Sequence, residues 1–280
     1  GNNFHGSASA FLGNYLTAHD DIFMGLEPTE ITRRQDYRLQ LSGPVLTDRL
    51  SFFLDYRHEN NKGEHNGIRL FLPDDRSFFN TADTTQWYSQ RSGDSSYVPM
   101  NWGKNHNFTG KLTWSATNDI KLQGLYIYNQ GEGQGYDHAY KFRPGGRAVG
   151  RGTSHMFALT LNHMLTQRLF YEAKVKYTND QGSSYLYENP LDSRYIHDLY
   201  DNDTGPGAWF GGQDRWHSIN ETNEIQGKID LTWQVHRNHS IKTGVDFIQA
   251  DFYVENKTIR NWYELFDPAN AGRYRPWVLG

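Results

Sequence analysis

The sequence contains no cysteine. That excludes disulfide scaffolds, Cys-ligated zinc and thiol nucleophiles. It has no run of about 20 apolar residues, so no helix of it can span a bilayer. It has almost no charge imbalance: 28 Lys plus Arg against 32 Asp plus Glu leave a formal charge of −4. Nucleic-acid binding normally shows as a basic patch or stripe, so no nucleic-acid partner is expected. It is poor in apolar residues, 36% with a mean hydropathy of −0.80. Yet 15% of its 280 residues are aromatic and 27 are glycine, too many rings for a disordered chain. A polar chain rich in rings and glycine points to many strands.

Helical periodicity is weak, whereas period-two alternation recurs. In 223–235, Ile225, Gly227, Ile229, Leu231, Trp233 and Val235 share one face, with Glu224, Gln226, Lys228, Asp230, Thr232 and Gln234 on the other. In 168–178, Leu169, Tyr171, Ala173, Val175 and Tyr177 oppose Glu172, Lys174, Lys176 and Thr178. Phe108, Gly110, Leu112 and Trp114 share a face, as do Ile120, Leu122, Gly124, Tyr126 and Tyr128. Weaker versions span 4–12, 37–41, 50–56, 156–165 and 241–247, giving nine expected strands.

The connections alternate. Short turns at 43–48, 116–119, 166–167 and 236–239 are separated by long polar segments at 13–34, 60–102, 130–152, 179–222 and 256–280. All short turns therefore fall at one end of the sheet and all long loops at the other. Strands of about 12 residues with that asymmetry suit a transmembrane barrel, whose strands need roughly 9–11 residues. Soluble sandwiches have strands of about 5–6 residues. Trp114 and Trp233 end apolar faces two or three residues before short turns, where an interfacial aromatic girdle belongs. Two ordinary core tryptophans in a soluble sheet are the alternative, but together with the loop alternation the pattern favours lipid-facing strands.

These segments resemble the TonB-dependent outer-membrane receptors, most closely the branch with a carboxypeptidase-regulatory-like N-terminal domain. Gly1-Asn2-Asn3-Phe4-His5-Gly6-Ser7 resembles the start of that family's first barrel strand. Leu41-Ser42-Gly43-Pro44-Val45 and Asp48-Arg49-Leu50-Ser51-Phe52-Phe53 resemble the hairpin that follows. Asn189-Pro190-Leu191-Asp192, Gly211-Gly212, Asp230-Leu231-Thr232 and His239-Ser240-Ile241-Lys242-Thr243-Gly244 look like its middle strands. The resemblance implies an all-β, antiparallel up-and-down barrel in the outer membrane of a Gram-negative bacterium. It implies import of a bulky, scarce solute, energised by a TonB complex acting through a plug domain. Such barrels have about 22 strands. Nine strands over 1–280 are therefore expected to be the N-terminal portion of a barrel, an open curved sheet, with plug, signal peptide and C-terminal strands absent.

Candidate ligand-binding rings in the loops are Trp87, Trp102, Tyr136, Trp209, Trp216 and Trp262. They could stack on a solute or simply pack the loops together. Glu172, Lys174, Lys176, Glu224, Lys228 and Asp230 would line the lumen and face the plug, because charge is tolerated there. Asp201 and Asp203 resemble the start of a calcium loop, but no Glu stands at its twelfth position, so a polar turn is the better reading. No catalytic motif occurs, and neither enzyme activity nor a cofactor is expected. Two rival readings are a secreted, soluble β-rich carbohydrate-binding or glycoside-hydrolase domain and a simple pore. A soluble sheet would bury Ile225, Ile229, Leu231 and Trp233 against a second layer; a barrel would turn them to lipid.

Overall fold

The computed structural model describes residues 3–16, 21–45, 49–79, 82–197, 200 and 207–260, with the backbone of 277–279. The first three strands are β1 (His5–Gly13), β2 (Arg34–Pro44) and β3 (Leu50–Asn61). Four short ones follow: β4 (Asn66–Ile68), β5 (Ser77–Phe78), β6 (Tyr88–Ser89) and β7 (Tyr97–Pro99). Then come β8 (Trp102–Ser115), β9 (Ile120–Gln134), β10 (Val149–Thr166), β11 (Leu169–Tyr185), β12 (Trp216–His236) and β13 (His239–Arg260), with β14 (Trp277–Leu279) last.

One sheet runs β1-β2-β3-β8-β9-β10-β11-β12-β13-β14, with β4 paired to β7 and β5 to β6 in separate ribbons. Its nine long strands are the nine expected ones, each antiparallel to its chain neighbour, and the sheet is open at both edges. Register keeps like with like: Trp114 faces Leu50 and Leu122, while Trp233 faces Leu169 and Ile241. A slip of one residue would turn every apolar side chain of a strand to the other face.

The apolar face has no cover. Leu112, Val175 and Ile229 are 54%, 58% and 56% exposed, and Tyr126 and Leu231 are half-buried by their own neighbours. Among the described residues, no second sheet and no helix lies against them. Water would not tolerate so large a contiguous patch on a monomer; hydrocarbon would. The outward apolar run covers Ile120–Tyr128 in β9, Leu169–Tyr177 in β11 and Ile225–Trp233 in β12. Nine residues reach about 30 Å along a strand, or about 25 Å once tilted, the height of a barrel's apolar band.

Past that band the ladder continues, in β8–β12 with mostly polar residues on both faces, and the strands lengthen from nine residues in β1 to 22 in β13. This corrects the expected boundaries. Trp102 and Trp216 are the first residues of β8 and β12 rather than loop residues. The cause is physical: with both faces wet, nothing requires alternation, although the backbone hydrogen bonds persist. The segment 60–102, expected as loop, also holds β4–β7.

The buried core lies at the loop end. Phe71, Met100, Tyr140, Arg143, Tyr195, Ile196 and Ala208 are buried there, whereas at the level of the apolar band the one buried apolar residue among those described is Ala158, on the inner face. Three long loops knit into this cap: Leu70 N–H donates to Phe142 O (3.0 Å), Trp209 N–H to Ala139 O (2.9 Å), and Asp214 N–H to Gly146 O (2.8 Å). The segment before β2 joins through Arg33, which donates to Gly63 O (2.5 Å) and Asn66 Oδ1 (2.6 Å). Gly63 has φ +63°, a left-handed turn that favours glycine.

Candidate lumen wall and ligand vestibule

Within the apolar band, alternation places the charged residues of each strand on the opposite face. On β2 and β3, Arg57 donates two bonds to Asp36 (2.9 and 2.6 Å) and lies 3.0 Å from Glu59. Arg38 and Gln40 both donate to Asp55, at 2.9 and 2.5 Å. On β11 and β12, Lys176 pairs with Glu224 at 2.7 Å and Lys228 with Asp230 at 2.9 Å. Directly across the ladder, Glu172 faces Asp230 and Lys174 faces Lys228. Like charges set opposite each other destabilise a sheet, so these four suit a wet wall that offers charge to something inside it. Asp36, Arg38, Asp55 and Arg57 were not among the expected lumen residues; the alternation of Tyr37, Leu39, Leu54 and Tyr56 would have placed them there.

The lumen face also holds hollows. One of about 450 Å³ is walled by Arg34, Asp36, Arg57, Glu59 and Asn105. It meets another of about 540 Å³ at Gly103 and Asn105, where Gly131, Gly133, Gly150, Gly152 and Gly182 leave the wall bare.

The expected ring residues do not converge on one pocket. Trp87 ends a single helical turn, 47% exposed and edge-on to Phe79. Tyr136 Oη lies 2.7 Å from His138 Nδ1, and its ring is tilted against that of His65, 4.7 Å between centres; burial and then Asp137 raise its phenol pKa. Trp209 packs the cap, its ring 4.7 Å from the Arg143 guanidinium that also covers Tyr140. Trp216 is 49% exposed at the start of β12. Trp102 borders a cavity of about 500 Å³ with Arg147, Arg151, Tyr185, Tyr187 and Arg194. Burial pushes the Tyr187 phenol up to about 12, so it stays a neutral hydrogen-bonding group. Trp262, Asp201 and Asp203 lie outside the described residues. Among the described residues, no group of three or more His, Asp or Glu could hold a metal ion. Trp114 and Trp233 are 48% and 49% exposed on the apolar face, near the turn end.

An uncovered apolar band outside, charge inside and a folded cap at one end define part of a transmembrane β-barrel. Among solved structures, the chain is similar to "Copper transporter OprC", with a TM-score of 0.52, 13% identity, and 99% of this chain covered. It is also similar to the siderophore receptor PirA from Acinetobacter baumannii, with a TM-score of 0.50, 13% identity and 90% covered. The chain spans 30% and 31% of those two proteins. At such identity the likeness is one of fold. No protein-family model matches the chain, and no curated protein matches its sequence.

Proposed function

We propose that the chain is the N-terminal portion of the barrel of a TonB-dependent receptor in the outer membrane of a Gram-negative bacterium. The intact protein binds a bulky, scarce solute at its outer loops and imports it when a TonB complex acts on the plug. One observation carries this reading: nine strands present an apolar face that no described residue covers, with every long connection at one end. Closed into a whole barrel by further strands, such a wall suits lipid, which cannot satisfy unpaired backbone groups. Glu172, Lys174, Lys176, Glu224, Lys228 and Asp230 meet the plug, Trp114 and Trp233 form part of the interfacial girdle, and exposed cap rings such as Trp87 and Tyr136 meet solute.

Oligosaccharide, peptide and metal chelate all fit cap rings and amides. The two similar proteins are a copper transporter and a siderophore receptor, so the fold is compatible with different cargo. Deleting the protein should abolish TonB-dependent growth on one scarce solute of these classes, and the full-length protein should resist carbonate extraction from outer membranes. Release by carbonate as a soluble protein would overturn the reading.

A further inference from the structure

The inner face of β8–β13 changes character from the cap down to the turns. Under the cap, Gly103, Gly150 and Gly152 open the hollow of about 540 Å³ described above. An added Cβ at any of the three would meet nothing closer than 3.7 Å, so the chain itself does not require glycine there. Towards the apolar band, the next cross-strand row reads Asn107, Asn129, Ser154, Asp180 and Thr222, small polar side chains with a single carboxylate.

Lysine then takes over. Lys111, Lys121, Lys174, Lys176, Lys228 and Lys242 all face inward, six of the chain's ten lysines. They stand four, one, five, seven, eight and three residues from the turn ends of their strands, a ladder about 23 Å long at about 3.3 Å per residue. Over that stretch the same face carries three carboxylates, Glu172, Asp230 and Asp246, while Asp180 and Glu224 lie above it. Lys176 holds Glu224 at 2.7 Å and Lys228 holds Asp230 at 2.9 Å. Lys111, Lys121, Lys174 and Lys242 have no carboxylate partner among the described residues.

On β2 and β3 the same wall holds charge in a fixed way. There Arg57 forks onto Asp36 and Arg38 meets Asp55, so guanidinium and carboxylate are already matched. Lysine is different, a point charge on a flexible stem with rotatable donors. Four such cations, spread along their strands and free of carboxylates, suit an anion that moves past them better than a partner that keys into one place. A confined wall lined by one sign of charge also raises the local concentration of counter-ions, by about 10–10³.

We propose that the inner wall of β8–β13 is the passage for a multiply anionic solute, which enters over the glycine hollow and descends the lysines to the turn side. The solute carries several carboxylate or phosphate groups, or is an anionic metal chelate. The inference rests on the import reading above and narrows its solute to one charge class. While the plug is seated, the lysines meet it; once the plug has moved, the same wall is the passage. A neutral sugar would gain little from these lysines, and a cation would be repelled by them.

The test exploits the absence of cysteine from the chain. Thr160 faces inward, directly across from Lys174 and Gln123, so Thr160→Cys places one thiol among the lysines. The full-length protein carrying it is exposed, in intact energised cells, to an anionic and to a cationic methanethiosulfonate reagent of similar size, with the wild-type protein as the blank. Relative to a free small thiol, Thr160→Cys should favour the anionic reagent by at least about tenfold, a reading that needs no lysine variant. Adding Lys121→Gln, Lys174→Gln and Lys242→Gln should bring the preference to within about twofold of the free thiol. Lys104→Gln, on the outer face beside Glu132, should leave it unchanged. Equal rates, a preference for the cationic reagent, or an unchanged triple variant would each overturn the anionic passage. Silence towards both reagents would overturn it too, because the plug would then cover this wall throughout. All of these leave the barrel standing; absence of the protein from the outer membrane of these cells would overturn the import reading first.

Discussion

The wall and the cap of this chain are folded for two different solvents. In the cap, Tyr195 and Ile196 are fully buried, charge is at the surface or bound, and three loops share backbone hydrogen bonds. In the wall, Ile229 and Val175 are more than half exposed, and the pairs Lys176–Glu224 and Lys228–Asp230 lie on the other face. The cap is held by packing in the ordinary way. The wall is held by its ladder, and its apolar residues match a surrounding rather than a core.

The largest effect that would separate the two is truncation at the centre of the cap. Tyr195→Ala should cost about 3–5 kcal/mol, as for other large core truncations. It should open residues 186–215 to protease while leaving the wall protected. Next comes a charge in the middle of the apolar band: Ile229→Arg should cost about 2–4 kcal/mol in lipid. Its neighbour Lys228→Gln, on the wet face, should change stability by less than about 0.5 kcal/mol. Unfolding in detergent or bilayer reads both, and equal effects would erase the distinction between the two faces.

A smaller effect belongs to Gly25, which has φ +63° with the Tyr97 ring where a Cβ would stand. Gly25→Ala should cost about 1–3 kcal/mol, confined to the cap, which local hydrogen exchange would show. The smallest is electrostatic. Lys62, hydrogen-bonded to Glu30, holds that carboxyl below its ordinary pKa, with Arg33 adding to the effect. A depressed carboxylate stabilises above its unfolded pKa, and that stability is lost as pH falls through the folded value. Exchange around Arg33, corrected for intrinsic rate, should therefore rise on acidification below about pH 4 by less than about 1 kcal/mol, and Glu30→Gln should remove that dependence. Exchange in the apolar band should not respond.

The wall was legible in the sequence because lipid on one side and water on the other impose strict alternation. Ile225 to Trp233 and Leu169 to Tyr177 could hardly be read otherwise. The same rule explains what was not legible. Asn129–Gln134 and Thr153–Val149 are strand by hydrogen bonding alone, so Trp102 and Trp216 read as loop residues. The cap was hidden for another reason. Its contacts, such as Phe71 against Phe210 or Arg143 between Tyr140 and Trp209, join segments far apart in the chain, and no local period marks them. The inward residues of β11 and β12 were readable as a face, but which of them pair, Lys176 with Glu224 and Lys228 with Asp230, was not.

The strands do not end level. From nine residues in β1 to 22 in β13, the ladder gains about 40 Å of length at about 3.3 Å per residue. With the apolar runs of neighbouring strands held side by side by register, that gain accumulates on the loop side. The rim is therefore cut on a slant, like the lip of a scoop. A particle drifting along the surface towards the tall side meets a palisade of hydrogen-bonded backbone, while one coming over β1 crosses a low sill.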